Sequence, residues 1–148
     1  MTPRPPNNDA EWESYYDLRW RVLRAPWGQP RGGDADEGMQ KTVHAMIADD
    51  AGRAIAVGRL LFKSPTEAQV RSMATEEDMR GQGLGRRVME YLEQAARAEG
   101  VTTIFLNARE DVVPFYATLG YEVTGDAPTL FDVIRHKAMR KQLGRLEC

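Results

Sequence analysis

The stretch best suited to chemistry is a glycine-rich run between a predicted strand and a predicted helix. It reads Arg80-Gly81-Gln82-Gly83-Leu84-Gly85-Arg86. Glycines let the backbone turn tightly and let a ligand approach the main-chain amides. The first amides of the following helix have no partner within the helix, so together with the helix dipole they form a site for an anion, most naturally a phosphate. We therefore predict that this run binds the phosphate groups of a ligand.

Two common phosphate-binding motifs do not match the run. The dinucleotide fingerprint needs glycine at its first, third and sixth positions, but the sixth residue is Arg86 when counted from Gly81 and Val88 when counted from Gly83. The nucleotide P-loop needs Gly-Lys-Ser/Thr after a four-residue gap, and the sequence lacks it. Kinase and GTPase chemistry therefore has no support. The remaining alternative is a glycine-rich turn that binds no ligand.

The elements that position this run are predicted from hydrophobic periodicity and turn residues. Residues 1–9 contain three prolines and are expected to be poorly ordered. The predicted elements are, in order, a helix over 10–24, a loop over 25–40, strands over 42–48, 53–62 and 68–75, a helix from 83 that stops at Gly100, a strand over 102–107, a short helix over 111–119, and strands over 121–124 and 130–139. This order predicts a mixed α/β layer rather than an all-β sandwich.

Composition sets the class of the protein. The 148 residues suit one domain, and 20 Lys and Arg nearly balance 22 Asp and Glu, so the net charge of −2 gives no general attraction to nucleic acid or to a membrane surface. The lone cysteine, Cys148, excludes an internal disulfide, and with only two histidines no metal site is expected. No apolar run is long enough to span a membrane. We expect a cytoplasmic, soluble protein.

The glycine run resembles the pyrophosphate loop of the GNAT superfamily of acyl-CoA-dependent N-acetyltransferases, with Arg80, Gly83 and Gly85 in the family's positions. Three further segments agree with it, namely residues 70–75 (Val-Arg-Ser-Met-Ala-Thr), 104–107 (Ile-Phe-Leu-Asn) and 113–121, which end in Gly-Tyr. The resemblance covers roughly residues 45–139. It implies a GNAT-like three-layer α/β (α+β) fold, with a mixed, mostly antiparallel twisted sheet of about six or seven strands flanked by helices. A single acyltransferase domain would span residues 1–148.

A narrower resemblance involves four segments that are similar to the acetyltransferase half of bacterial proteins fused to a hot-dog thioesterase-like domain. They are residues 18–24, 29–32, 107–110 and 134–139. We interpret the chain as a stand-alone version of that half. The family usually begins with a strand before its first helix, and the proline-rich residues 1–9 support such a strand poorly.

The resemblance implies acetyl-CoA as the cofactor and assigns residues to it. The backbone of Met73, Ala74 and Thr75 would hold the pantetheine arm and polarise the thioester carbonyl. The pyrophosphate would be held by Arg80, Gly81, Gln82, Gly83, Leu84, Gly85 and Arg86. Tyr116 matches the family's usual general acid, because a phenol can protonate a departing thiolate; the alternative is an aromatic that only packs the short helix against the sheet. Asn107 would bond pantetheine or substrate, or is simply a polar strand end.

The general base and the acceptor site stay open at this point. Candidate bases are Glu76, Glu77, Asp78, His44 and His136. His136 has the side-chain type that suits a base, but a histidine satisfied within the sheet is an equal alternative. For the acceptor, Arg19 could bind a carboxylate and Trp27 lies in the glycine- and proline-rich loop. Trp12 and Tyr16 are expected to be core aromatics of the first helix, and the basic tail at 137–145 is expected to be a solvated end.

The leading hypothesis is an N-acetyltransferase that acts on a primary amine of a small molecule or of a protein lysine or N-terminus by direct attack. One alternative is a non-catalytic domain that binds CoA or acyl-CoA as a sensor or partner subunit. Another is an α/β interaction domain in which the glycine run is only a turn. A homodimer is compatible with the family, and a nucleic-acid or membrane partner is not expected.

Overall fold

A computed structural model of the protein describes residues 2–31 and 41–144. In these residues a mixed sheet lies between helices on both faces. The elements are α1 (Asp9–Leu23), β1 (Thr42–Ala48), β2 (Ala54–Phe62), β3 (Glu67–Thr75), α2 (Leu84–Ala98), β4 (Thr103–Arg109), α3 (Val113–Thr118), β5 (Glu122–Leu130) and β6 (Ile134–Gln142). Short 3-10 helices lie at Ala25–Trp27, Glu77–Met79 and Glu110–Val112. The predicted order of elements and the predicted fold class are confirmed.

Within the described residues the sheet has six strands in the order β1-β2-β3-β4-β6-β5. Neighbouring strands are antiparallel except β3 and β4, which are parallel. The exception follows from connectivity, because α2 carries the chain across one face of the sheet between these two strands. Short turns instead link β1 to β2 and β2 to β3, so those pairs are hairpins.

The helices divide the core into two layers. Helix α2 packs with Ile55, Leu60 and Val70 on one face of the sheet, whereas α1 packs with Met46 and Val57 on the other. Strand β2 is covered on both faces and is buried from Ala54 to Leu61, which explains why apolar residues follow one another on both sides of Gly58 and Arg59 rather than alternating with polar ones. This arrangement fixes two sides of the sheet, which we call the α1 face and the α2 face.

The N-terminal segment contacts the sheet and the first helix through Arg4. Arg4 forms an isolated antiparallel bridge with Met46 of β1, and its guanidinium donates to both carboxylate oxygens of Glu11 at 2.8 and 2.7 Å. Proline has no N–H to donate, so Pro3, Pro5 and Pro6 prevent the bridge from becoming a regular strand. Arg4 thus has defined contacts with β1 and α1, and in the described residues no regular strand precedes α1.

The last hairpin departs most from the sequence prediction. Strand β5 extends to Leu130, and β6 begins at Ile134. Almost all of β5 is exposed, so it lacks the alternation of apolar and polar residues that marks a half-buried strand. Tyr16 also differs from the prediction, since it is 38% exposed and stacks on Trp12 at the surface of α1. The part of the predicted loop at 32–40, Arg145 of the basic tail and Cys148 lie outside the described residues.

Candidate active site

The sheet opens between β3 and β4. Their parallel ladder joins only Glu67, Ala68 and Gln69 to Thr103, Ile104 and Phe105, whereas the ladder between β4 and β6 continues to Arg109. A cavity of about 330 Å³ lies at the opening, within the size range of small-molecule sites. From Val70 onward, β3 has no strand partner on its β4 side in the described chain. The backbone groups on that edge therefore remain available to a ligand.

A bulge in β3 lies beside this opening. Val57 pairs with Ala74 and Arg59 with Arg71, so Gly58 alone faces the two residues Ser72 and Met73. Ser72 has a φ of +59°, which is uncommon for a residue with a side chain, and its Oγ accepts a hydrogen bond from Arg59 Nε at 3.1 Å. Bulges disrupt the ladder locally and often occur beside active sites.

The glycine run forms the start of α2. Gly83 is the N-cap residue with a φ of +76°, and in the described chain no side chain caps this helix. The first intrahelical bond is donated by Arg87 to Gly83 at 3.1 Å, so the amides of residues 84–86 have no partner within the helix. A Cβ at Gly81 or Gly83 would meet no described atom within 4 Å, so open space lies above both residues. The geometry is that of a helix N-terminus able to bind an anion.

Gly85 differs from the other two glycines. A Cβ on this residue would lie 3.3 Å from Phe115 Cζ of α3 and 3.9 Å from Thr75 Oγ1 at the end of β3. Gly85 therefore allows α2, α3 and the end of β3 to approach closely. The end of the open β3 edge therefore lies close to the N-terminus of α2, so the two candidate binding features are continuous.

Tyr116 lies on α3 and lines the cavity from the α2 face. It is 7% exposed, and its ring packs edge-on against Phe115 and Tyr121. Burial disfavours the phenolate, which raises the pKa of Tyr116 above its ordinary value. The hydroxyl therefore keeps its proton at neutral pH.

Three other predicted residues line the same cavity: Asn107, Trp27 and His136. Asn107 lies on β4 between Leu106 and Ala108, which both pack on the α2 face, so its side chain points to the α1 face. His136 is paired with Arg109 across the ladder of β4 and β6. His136 Nδ1 is 2.9 Å from the carbonyl oxygen of Ile134. A carbonyl only accepts, so Nδ1 carries the hydrogen and Nε2 of the neutral ring has the free lone pair.

The remaining residues assigned to the cofactor lie around the cavity. Met73 lines it, whereas Ala74 and Thr75 continue the same strand toward the glycine run. Arg80 and Arg86 are exposed beside that run, and Arg86 forms a surface ion pair with Glu90. Their charges therefore flank the N-terminus of α2.

Arg19 is not among the residues that line the cavity. Its side chain is completely buried, and its guanidinium carbon lies 5.4 and 5.0 Å from the ring centres of Tyr15 and Tyr16. This position packs α1 and does not favour contact with an acceptor.

The other candidate bases lie outside the cavity lining. Arg21 donates to both oxygens of Glu76 at 2.9 and 3.0 Å, which lowers the pKa of that carboxyl. Glu77 and Asp78 are exposed in a 3-10 helix. His44 Nδ1 is 2.9 Å from the Tyr15 hydroxyl on the α1 face. Of the described residues that line the cavity, none is a carboxylate, which leaves His136 as the candidate base with access to it.

Sequence reasoning missed a set of cavity residues that share a positive charge. They are Arg24, Arg59, Arg71 and Arg109. Strand alternation could have placed Arg71 opposite the core residue Val70, but nothing in the sequence indicates that the end of α1 brings Arg24 to the same opening. Residues 2–31 and 41–144 contain no cluster of potential metal ligands and no helix long and apolar enough to cross a membrane.

Comparisons with known proteins agree with this geometry. Residues 34–143 match the sequence model of the family described as "Acetyltransferase (GNAT) domain". The chain is 26% identical over 134 residues to an uncharacterised N-acetyltransferase, YjcF, of Bacillus subtilis, covering 90% of this chain and 94% of that protein. It is 39% identical over 80 residues to serotonin N-acetyltransferase 2 of Oryza sativa, but this match spans only 54% of the chain and 40% of the rice protein.

Solved structures show the same fold. An acyl-CoA N-acyltransferase from Pseudomonas aeruginosa superposes with a TM-score of 0.78 at 25% identity, covering 95% of this chain and 97% of that one. An aminoglycoside 6'-N-acetyltransferase complexed with coenzyme A superposes with a TM-score of 0.80 at 18% identity, covering 99% and 100% of the two chains. The second likeness concerns the fold alone.

Proposed function

The chain belongs to the GNAT acetyltransferase family, and we propose that it transfers an acetyl group from acetyl-CoA to a primary amine. The observation that carries this proposal is the continuity of the open β3 edge with the N-terminus of α2, which no described side chain caps, where Thr75 lies close to Gly85. One end suits an extended polar chain, and the other suits phosphates.

The residues present fit acetyl-CoA. The amides of residues 84–86 would bind its pyrophosphate, with open space above Gly81 and Gly83 for the close approach. The edge of β3 from Met73 to Thr75 would hydrogen-bond the pantetheine arm as a neighbouring strand would. When bound, acetyl-CoA supplies the acetyl group as a thioester and is released as the thiol.

Two side chains would carry out the proton transfers. The amine nitrogen forms a bond to the acetyl carbon while the carbon–sulfur bond breaks. His136 Nε2 takes one proton from the amine, and Tyr116 Oη gives one proton to the sulfur. Because burial keeps the Tyr116 phenol protonated, it can act as the donor throughout the neutral pH range. The amide of Asn107 offers both a donor and an acceptor to orient the acceptor or the pantetheine.

The test is release of CoA thiol from acetyl-CoA, followed with a thiol-reactive dye over a panel of amines. We expect amine-dependent thiol release, and we expect Tyr116→Phe to lower kcat by about a hundredfold or more, as for the loss of a general acid, with little change in acetyl-CoA affinity. Tyr91→Phe is the matched control, because Tyr91 lies on α2 away from the cavity. Tight cofactor binding without turnover of any amine would instead support a non-catalytic acyl-CoA-binding domain.

Narrower expectations remain predictions. They are the identity of the acceptor as a small molecule or a protein, the formation of a homodimer, the cytoplasmic location and the likeness to domains fused to a hot-dog thioesterase-like domain. The names of related enzymes point to different acceptors, serotonin in one case and aminoglycosides in another. The acceptor must therefore be argued from this chain's own cavity.

A further inference from the structure

Four arginines line the cavity, and we call them the arginine cluster: Arg24, Arg59, Arg71 and Arg109. Arg59 lies two residues from Val57, which packs on the α1 face, and Arg71 is its ladder partner, so both point to that face. Arg109 follows Asn107 on the same face of β4. The described residues that line the cavity include no Asp or Glu.

The members of the cluster differ in how they are paired. Arg109 donates to both oxygens of Asp111 at 3.1 and 2.7 Å and lies over the Trp27 ring at 5.4 Å. Within residues 2–31 and 41–144, neither Arg24 nor Arg71 forms an ion pair with a carboxylate. Among the described residues, two guanidinium groups that line the cavity therefore have no carboxylate partner.

Arg24 has a second unusual feature. Its Nε is buried and has no hydrogen-bond partner among the described residues, while its guanidinium carbon lies 5.2 Å from the centre of the Phe131 ring. A buried donor without a partner is costly and calls for an explanation. An anion in the cavity would offset part of this cost through the rest of the guanidinium, because the planar fork matches carboxylate and phosphate oxygens.

The rest of the lining is largely apolar and includes Leu106, Leu130, Ile134 and the rings of Trp27 and Phe131. Such a surface suits a hydrocarbon or aromatic body, and the charges of Arg24 and Arg71 repel a polycation. Since His136 lies in the same lining, an anion on Arg24 and an amine near the proposed base can belong to one small molecule.

We propose that the acceptor is an amine that also carries an anionic group, a carboxylate or a phosphate, which Arg24 and Arg71 bind beside the reacting nitrogen. This inference rests on the acetyltransferase function proposed above. It distinguishes the acceptor from plain alkylamines, arylalkylamines and polyamines.

The test compares amines that differ only in the anion. The pairs are tryptophan and tryptamine, phenylalanine and phenethylamine, lysine and cadaverine, and, for phosphate, O-phosphoethanolamine and ethanolamine; spermidine serves as the polycation. We expect at least a tenfold higher kcat/KM for the anionic member of one pair or more. An equal or higher kcat/KM for the anion-free member of every pair that is turned over would overturn the inference.

Substitutions then test whether Arg24 and Arg71 bind the anionic group. Arg24→Gln and Arg71→Gln should each reduce the preference for the anionic member at least fivefold, chiefly through KM. Arg140→Gln is the matched control, because it removes the same charge from an exposed position of β6 outside the cavity lining. A preference that survives both cavity substitutions, or that falls equally in the control, would refute the assignment.

A binding arm separates this inference from the proposed function. In the presence of CoA, N-acetyltryptophan should raise the melting temperature more than N-acetyltryptamine does, and Arg24→Gln should abolish the difference. If no amine is turned over but this difference is seen, the acetyltransferase proposal fails and the anion site stands. If amines are turned over but neither the kinetics nor the melting temperatures depend on the anion, the anion site fails and the acetyltransferase proposal stands.

Discussion

Replacing Gly58 with alanine tests whether the bulge in β3 depends on the space above this glycine. A Cβ on Gly58 would overlap Met73 Sδ and would lie 2.9 Å from Val88 Cγ1 and 3.3 Å from Leu92 Cδ1. The Met73 thioether can move, but Val88 and Leu92 belong to α2 and are fully buried. The added methyl group must therefore push Met73 out of the core toward the cavity or lift α2 from the sheet.

The magnitude follows from the packing. Overfilling a core costs about 1–3 kcal/mol, and the smaller backbone entropy of alanine offsets about 0.5–1 kcal/mol of that cost. A net loss of about 1–2 kcal/mol lowers the Tm of a domain of this size by roughly 2–8 °C. Since Met73 belongs to the bulge that borders the opening, the Kd for acetyl-CoA should also rise.

Urea unfolding and calorimetric titration with acetyl-CoA measure the two effects. Gly125→Ala is the matched control, because Gly125 is also a strand glycine but a Cβ there meets no described atom within 4 Å. Gly58→Ala combined with Met73→Ala should recover part of the lost stability. If Gly58→Ala matched Gly125→Ala in both stability and affinity, the bulge would not depend on this contact and the reasoning would be refuted.

Three further predictions follow. Gly83→Ala places a side chain at a φ of +76°, so it should lower the free energy of unfolding by about 1–2 kcal/mol and weaken acetyl-CoA binding in a titration. Gly100→Ala is the control, because Gly100 has a φ of +87° in open space beyond the other end of α2 and should lose similar stability with no loss of affinity. The hydrogen bonds from Arg4 lower the pKa of Glu11 to about 2. The stability that wild type gains over Glu11→Gln should therefore be complete at pH 7 and be lost as pH falls from about 4.3 toward 2. Urea unfolding of both proteins at pH 7 and pH 2.5 measures this difference, and a difference independent of pH would contradict the prediction. His136→Gln should lower kcat in the thiol-release assay without changing the Kd for acetyl-CoA, and wild-type turnover would exclude His136 as the base.

The order of elements was predictable from the sequence because most of them carry a local signal. Strand β2 is a mostly apolar run, interrupted only at Gly58 and Arg59 and bounded by turn residues, and the glycines before α2 mark positions that need a positive φ. Strand β5 carries no such signal, because nearly all of it is exposed and polar residues give no period to detect. Its extent is set by pairing with β6 rather than by its own sequence.

The candidate site was predictable only in part. Tyr116 and the glycine run could be identified from a motif, whereas the choice between Arg19 and Arg24 depends on how α1 lies across the sheet. At 100° per residue the two side chains point about 140° apart on the helix, and only the tertiary structure decides which end of α1 covers the opening. The bulge at Ser72 could not be predicted either, because it lies opposite Gly58 of the neighbouring strand, where a Cβ would overlap Met73.

The most direct test of the central claim, that the β3 edge and the α2 N-terminus together hold an acyl-CoA, is a melting curve of the full chain with acetyl-CoA and with S-acetylpantetheine, which lacks the pyrophosphate. A ligand that binds only the folded state stabilises it by about 2.7 kcal/mol at a hundred times its Kd, which corresponds to roughly 5–10 °C for a domain of this size. We predict a clear shift with acetyl-CoA and a much smaller shift with S-acetylpantetheine at the same concentration. Equal shifts with both would remove the phosphate role of the glycine run, and no shift with millimolar acetyl-CoA would contradict the account as a whole.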